Sequence, residues 1–233
     1  FYGTTRFGGG PGGEGSVFKF DPGSGLTTLH FFEFLGSDGT NPLGLIEGTG
    51  GTLYGTAYGG GENIGGTIFK VDLGSGLLTR LHSFEESGGK MSRVVQGTDG
   101  SLYVTTDCCP GWGTIFKFDL SSDRLTTLHS FLPSKDGRDP RGGLIEARDG
   151  SFYGTTHGNT LSTGTASQGT IFKLDLTSGL TTLHSFLGTE GTWPQSGVIE
   201  GDDGSLYGTT RFGGSDNQGT IFKLDLTSGL TTL

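Results

Sequence analysis

The chain reads as short apolar runs of β type separated by polar, glycine-rich stretches, and the same four runs return in the same order. One run, (L/F)-Y-(G/V)-T-(T/A), lies at Phe1–Thr5, Leu53–Ala57, Leu102–Thr106, Phe152–Thr156 and Leu206–Thr210. From Tyr2 to Tyr207 is 205 residues in four steps, a period of about 51. A second run, (I/V)-F-K-x-D, carries Phe18-Lys19, Phe69-Lys70, Phe116-Lys117, Phe172-Lys173 and Phe222-Lys223. A third, close to T-x-L-H, sets His30, His82, His129 and His184 in register, and its fifth copy is Thr231-Thr232-Leu233. A fourth occurs four times, as Leu45-Ile46-Glu47, Val94-Val95-Gln96, Leu144-Ile145-Glu146 and Val198-Ile199-Glu200.

In chain order these are strands A (GLIEG), B (SLYGTT), C (GTIFKLDL) and D (LTTLHSF). Asp99-Gly100, Asp149-Gly150 and Asp203-Gly204 join A to B. Asp-Gly is a strong hairpin signal and predicts a type I′ turn, which needs positive φ at both central residues. Gly74–Gly76, Thr177–Gly179 and Thr227–Gly229 join C to D by a tight turn closed with glycine. A four-stranded antiparallel meander repeated about every 50 residues predicts an all-β fold, a β-propeller of about five four-stranded blades or a portion of a larger propeller or repeat array. The repeats fall at 1–43, 44–92, 93–142, 143–196 and 197–233 of a single domain, 1–233. The first lacks its A strand. Either the chain is a window on a longer array, or a neighbouring chain pairs with the open edge and the protein self-associates through its incomplete first blade.

Composition supports strands over helices. Of 233 residues 48 are glycine, with three alanines and one methionine, and each interior glycine costs a helix about 1 kcal/mol relative to alanine. The glycines keep no Gly-X-Y period, which excludes collagen, while 17 Phe, 6 Tyr and 2 Trp supply a core that a disordered chain lacks. The net charge of −9 and the absence of any Lys/Arg run argue against nucleic acid and anionic membrane partners. No apolar stretch is long enough for membrane insertion as a helix.

A meander places the A–B and C–D turns at one end of each blade and the B–C and D–A connections at the other. The first pair is uniform across repeats. The second varies, from Asp107–Trp112 to His157–Gln168 in B–C, and through Lys135–Arg141 and Gly191–Pro194 in D–A. Recognition is expected at the diversified end.

The repeat GDDGSLYGTTRFGGSDNQGTIFKLDLTSGLTTLHSF resembles the GloVer tandem repeat of bacterial surface and secreted proteins that carry varied sorting or anchoring signals. LYGTT, the Gly-Gly of the B–C loop, GTIFKLD and LHSF recur in most copies, and the resemblance covers essentially the whole chain. It implies an extracellular or cell-surface setting. It brings no catalytic residues with it.

Residues repeated in every blade are expected to be structural. The five C-strand lysines and the acids two residues on (Asp21, Asp72, Asp119, Asp175, Asp225) are read as ion pairs, the histidines as structural, and Glu47, Glu146 and Glu200 as hydrogen bonded to neighbouring backbone rather than to a metal. No cofactor is expected. Residues that break the repeat are the candidates for ligand binding: Arg6, Tyr58, Asp107, His157 and Arg211 directly after strand B, with Trp112 and Trp193 in the loops. Adjacent Cys108 and Cys109 allow free thiols, a vicinal disulfide or pairing to other chains; a vicinal disulfide beside Trp112 would make an apolar platform able to stack on a sugar ring. The expected function is a non-catalytic module binding a carbohydrate or a protein partner. A structural subunit of a larger assembly is the first alternative. A glycan-active or ester-active enzyme is the second, its acids drawn from Asp107, Asp136 and Asp139 or its base from His157.

Overall fold

The computed structural model describes residues 1–10, 12–34, 36–48, 50–85, 91–107, 111–132, 135–158 and 168–233. Every named element is a β-strand, and every sheet is an antiparallel meander of sequence neighbours. The first sheet has three strands, β1 (Tyr2–Thr5), β2 (Ser16–Asp21) and β3 (Gly25–Phe31). The second is β4 (Thr40–Glu47), β5 (Thr52–Gly59), β6 (Ile64–Asp72) and β7 (Leu78–Glu85). The third is β8 (Val95–Gln96), β9 (Leu102–Thr106), β10 (Thr114–Asp119) and β11 (Arg124–Ser130). The fourth is β12 (Ile145–Glu146), β13 (Phe152–Thr156), β14 (Thr170–Asp175) and β15 (Gly179–Ser185). The fifth is β16 (Ile199–Glu200), β17 (Leu206–Thr209), β18 (Ile221–Asp225) and β19 (Gly229–Thr232). These are the A-to-D blades of a β-propeller fold, the first without its A strand. By packing the chain divides into two units, Phe1–Gln96 and Gly97–Leu233.

Within each unit the core lies between successive sheets. In the first unit Val17 and Phe32 of one sheet meet Leu53, Ala57, Phe69 and Val71 of the next. In the second, Tyr153, Ile171 and Phe186 meet Val198, Leu206, Phe222 and Leu224. The L-H-x-F end of strand D explains the match. Its phenylalanine packs on the strand-C phenylalanine of the following blade: Phe32 on Phe69 at 5.4 Å, Phe131 on Phe172 at 5.2 Å, Phe186 on Phe222 at 5.2 Å. Full burial of such a ring stabilises by about 1.5–3 kcal/mol.

The histidine two residues earlier sits edge-on to that phenylalanine. It also bonds an acid of the D–A linker: His30 to Asp38, His129 to Asp136, His184 to Glu190. The same acids offer their backbone carbonyls to the first threonine of the next strand C, from Thr67, Thr170 and Thr220. The histidines are therefore structural, as their recurrence implies. Glu146 accepts the Thr98 amide at 2.7 Å and Glu200 the Arg148 amide at 3.0 Å, so these carboxylates tie strand A to the preceding A–B turn.

Two expectations need correction. The three Asp-Gly hairpins between strands A and B are not type I′. Gly100, Gly150 and Gly204 have φ of +81°, +76° and +75°, but no positive φ occurs at the aspartate before them. Gly100 N–H instead donates to Gly97 O and Gly97 N–H to Ser101 O, as in a type I turn followed by a left-handed glycine. The aspartate is thereby freed for other bonds. Its carboxylate takes the Ser101 amide, the Tyr103 hydroxyl and the Lys117 ammonium, and Asp149 and Asp203 pair likewise with Lys173 and Lys223. Lys117, Lys173 and Lys223 thus pair with the A–B aspartate and not with the acid two residues on. Those acids (Asp21, Asp72, Asp119, Asp175, Asp225) cap the C–D turn by accepting backbone amides two or three residues ahead.

The glycine inside LYGTT is required by the facing ring. A Cβ on Gly154 would lie 2.5 Å from Phe172 Cζ, the residue opposite it in the ladder. Gly154→Ala is expected to cost about 1–3 kcal/mol by overpacking, read as a lower urea midpoint at unchanged slope. Gly188→Ala, where a Cβ meets nothing, leaves the midpoint in place.

A second expectation concerns acid. Burial alone would raise the Asp99 carboxyl, but Lys117, the Ser101 amide and the Tyr103 hydroxyl together pull it down to about 2; Asp149 is lowered in the same way. A carboxylate lowered on folding stabilises fully above its unfolded value of about 3.9 and loses that contribution as pH falls through the folded value. Stability should therefore decline between about pH 4 and pH 2, and Asp99→Asn should flatten the decline in a pH series of urea melts.

Candidate functional site

The D–A linkers place the candidate residues. Three share the pattern Gly-x-x-Pro: Gly39–Pro42, Gly137–Pro140 and Gly191–Pro194. In each, the residue before proline has positive φ, Asn41 at 57°, Asp139 at 55° and Trp193 at 57°. Each donates its amide to the preceding blade's B–C loop, to Glu14 O, Trp112 O and Gln168 O. The proline ring then packs on a glycine of that loop: Pro42 on Gly15, Pro140 on Gly113, Pro194 on Gly169. Those glycines have φ of +103°, +109° and +120°, and a Cβ there would strike the ring. On the other side of the linker, the amide of the residue after strand B donates into it, from His157 to Arg138 O and Asp139 O, and from Arg211 to Thr192 O and Trp193 O.

In the second unit this arrangement gathers five of the expected residues with partners that the repeat comparison did not single out. Arg138 lies over the Trp112 ring at 5.6 Å. Asp139 sits 4.0 Å from Arg138 Nε and 3.8 Å from Arg141 Nη2, and Arg141 Nε is 3.9 Å from Asp107. The His157 ring lies 5.1 Å from Trp193 at 37°, and its Nε2 is 3.5 Å from the Gln195 amide. Trp193 meets Phe212 edge-on at 5.4 Å, and Arg211 lies over Phe212 at 5.0 Å. Trp112 and Trp193 remain 43% and 42% exposed.

Three guanidinium groups thus stand against two carboxylates. The Arg–Asp distances exceed a hydrogen bond, and Arg138 Nε and Asp139 Oδ1 are buried with no hydrogen-bond partner among the described residues. Burial holds the His157 imidazole below its ordinary range, and Arg141, Arg138 and Arg211 lower it further against the opposing pull of Asp139. The imidazole is neutral at pH 7, and its ring contacts are an amide and an indole. Trp193 carries backbone strain as well. Asparagine and aspartate tolerate a left-handed backbone; a bulky tryptophan before proline does so at about 1 kcal/mol or more.

In the first unit Arg6 and Tyr58 form their own pair, the guanidinium 4.8 Å over the Tyr58 ring and 5.4 Å from the Phe7 ring. Cys108 and Cys109 lie outside the described residues. Asp136 is buried against His129 and belongs to the scaffold. Among the described residues no three His, Cys, Asp or Glu side chains converge as metal ligands. Arg138, Arg141, Gln195 and Phe212 were not marked by comparing single positions after strand B. The recurring Gly-x-x-Pro of the linkers was the signal that could have found them.

The fold has solved counterparts. TolB from Acinetobacter baumannii superposes with a TM-score of 0.63 at 18% identity, over 100% of this chain and 52% of that one. A protein of unknown function from Bacteroides thetaiotaomicron gives 0.60 at 16%, over 94% and 52%. A luciferin-regenerating enzyme gives 0.58 at 14%, over 94% and 67%. At these identities the likeness is one of fold, and the chain spans about half the length of the first two. No curated protein matches it in sequence. The family model described as the Gloeobacter/Verrucomicrobia repeat matches residues 1–109 and 91–233, and the chain belongs to that family.

Proposed function

We propose that the diversified end of the blades is a carbohydrate-binding surface, and that the protein serves as a non-catalytic binding module outside the cell or on its surface. The observation that carries this reading is Trp193. A large aromatic residue is held at a strained left-handed backbone position, with its indole partly exposed beside a neutral imidazole and the Gln195 amide. Strain kept at an exposed aromatic is a cost to the fold that a ligand contact explains. Indole faces stack on the apolar face of a sugar ring, and amide, carboxylate and guanidinium groups around them match its hydroxyls. Arg138, Arg141 and Arg211, whose donors the two carboxylates leave largely unused, favour a sugar bearing a carboxylate. The setting outside the cell rests on the resemblance of the repeat to those of surface and secreted proteins.

The test is a glycan array followed by calorimetry on the best ligand. Trp193→Asn keeps the fold, because asparagine already fills the same linker position at residue 41 with φ of 57°. It should weaken binding about tenfold or more, the loss of one stacked ring. Arg141→Gln should weaken acidic sugars more than neutral ones. Binding of no glycan at all, or full binding by Trp193→Asn, sinks the reading. A separate expectation follows from the electrostatics. In Arg141→Gln the His157 ring loses the charge that lowers it most and should titrate at higher pH than in the parent, measured by NMR.

A further inference from the structure

The second Gly-x-x-Pro linker contains an Asp–Pro peptide bond, Asp139-Pro140, whose carbonyl is doubly hydrogen bonded. Asp139 O accepts the Arg141 amide at 2.9 Å and the His157 amide at 3.0 Å. A pair of backbone donors at about 2.7–3.1 Å is the arrangement that stabilises an oxyanion when a carbonyl carbon is attacked. The bond is held from both sides. Asp139 N–H donates to Trp112 O at 2.8 Å, the Pro140 ring packs on Gly113, and Pro140 O accepts the Thr105 hydroxyl at 2.6 Å. The Asp139 side chain lies within this frame, and the residue is 7% exposed. Its Oδ2 faces Arg138 Nε at 4.0 Å and Arg141 Nη2 at 3.8 Å, while its Oδ1 has no hydrogen-bond partner among the described residues. A buried carboxylate oxygen left in this state calls for an explanation, and a catalytic role supplies one.

We propose that Asp139-Pro140 is a self-cleavage site, at which the Asp139 side chain attacks its own main-chain carbonyl. Asp139 Oδ1 forms a bond to the Asp139 carbonyl carbon, closing a succinic-type ring, and the oxyanion so formed rests on the Arg141 and His157 amides. The C–N bond then breaks, its electron pair goes to Pro140 N, and that nitrogen leaves as a secondary amine on taking a proton from solvent. One water opens the cyclic anhydride and restores the Asp139 side chain, now beside a C-terminal carboxylate. Proline directs the reaction. Its nitrogen bears no hydrogen, so the competing ring closure, in which the next amide nitrogen attacks the aspartate side chain, is blocked. The chain carries its own comparison in Asp21-Pro22, the other Asp–Pro bond. There the carboxylate is occupied by the Gly23 and Ser24 amides, and the aspartate lacks the positive φ of Asp139. Asn41 and Trp193 hold the equivalent place before proline without a carboxylate. This inference is independent of the carbohydrate reading, since neither an indole nor a sugar takes part in the step.

The experiment keeps the full chain folded at about pH 5, above the ordinary aspartate value of about 3.9 yet acidic enough to supply the proton, and follows its intact mass. Two fragments should grow in, residues 1–139 and 140–233, with masses that sum to the parent plus one water. Cutting there should be about tenfold or more faster than in urea, where the amide donors are lost, and Asp21-Pro22 should stay intact in the folded chain. Asp139→Asn, a residue that already fills the same backbone place at position 41, should remove the fragments. Asp139→Glu keeps the charge but enlarges the ring, and should slow them about tenfold; both variants are checked for native amide shifts. Cutting no faster in the folded chain than in urea, equal cutting at the two Asp–Pro bonds, or undiminished cutting in Asp139→Asn would overturn the proposal.

Discussion

The contact between a proline ring and a left-handed glycine is the constraint from which the rest of each unit follows. A blade is a meander that any alternating sequence could form; what fixes one blade against the next is the linker pinned between them. At Pro140 the ring occupies the space a Cβ on Gly113 would fill, while the Asp139 amide is spent on Trp112 O. With the linker so held, the acid at its start reaches the preceding histidine and offers its carbonyl to the following threonine. The phenylalanine stack between blades is then set in register. Polar pairing and apolar packing here are two results of one backbone fit.

The same fit explains why function and scaffold separate so cleanly. The pinned residue before proline holds a left-handed backbone whatever its side chain, which is half-buried at Asn41, buried at Asp139 and partly exposed at Trp193. Asn41 and Asp139 fill this place at little cost, and Trp193 fills it at a larger one. Each of these three linkers therefore offers one variable position without disturbing the contact that supports it. Around it stand residues after strand B such as His157 and Arg211, whose amides are used by the linker. A surface built this way changes its chemistry from blade to blade while its backbone stays the same.

Much of this was legible in the sequence. The 51-residue period, the four runs and the missing first A strand predicted the sheets, because period-two patterning and Gly-rich turns act locally. The aspartates were read for the wrong partners. Asp119 lies beside Lys117 in sequence and Asp99 does not, and the hairpin geometry that gives Lys117 to Asp99 depends on a left-handed Gly100 following a turn whose aspartate is not left-handed. Strand-end positions such as His157 and Arg211 were found by their variability. Arg138 and Arg141 were not, because they enter the site through a linker whose path is set by Gly113, distant in sequence.

The glycine beneath each strand-C phenylalanine also limits how the repeats can diverge. Gly154 and Phe172, like Gly208 and Phe222, form a pair in which neither member can change size alone. The third blade has Val104 opposite Phe116, and there the ring is only partly buried, where Phe172 and Phe222 are sealed. A lineage of such repeats can drift freely at its loops, yet at this ladder position it moves only by coupled substitutions. The strands stay recognisable across copies long after the recognition surface has been rewritten.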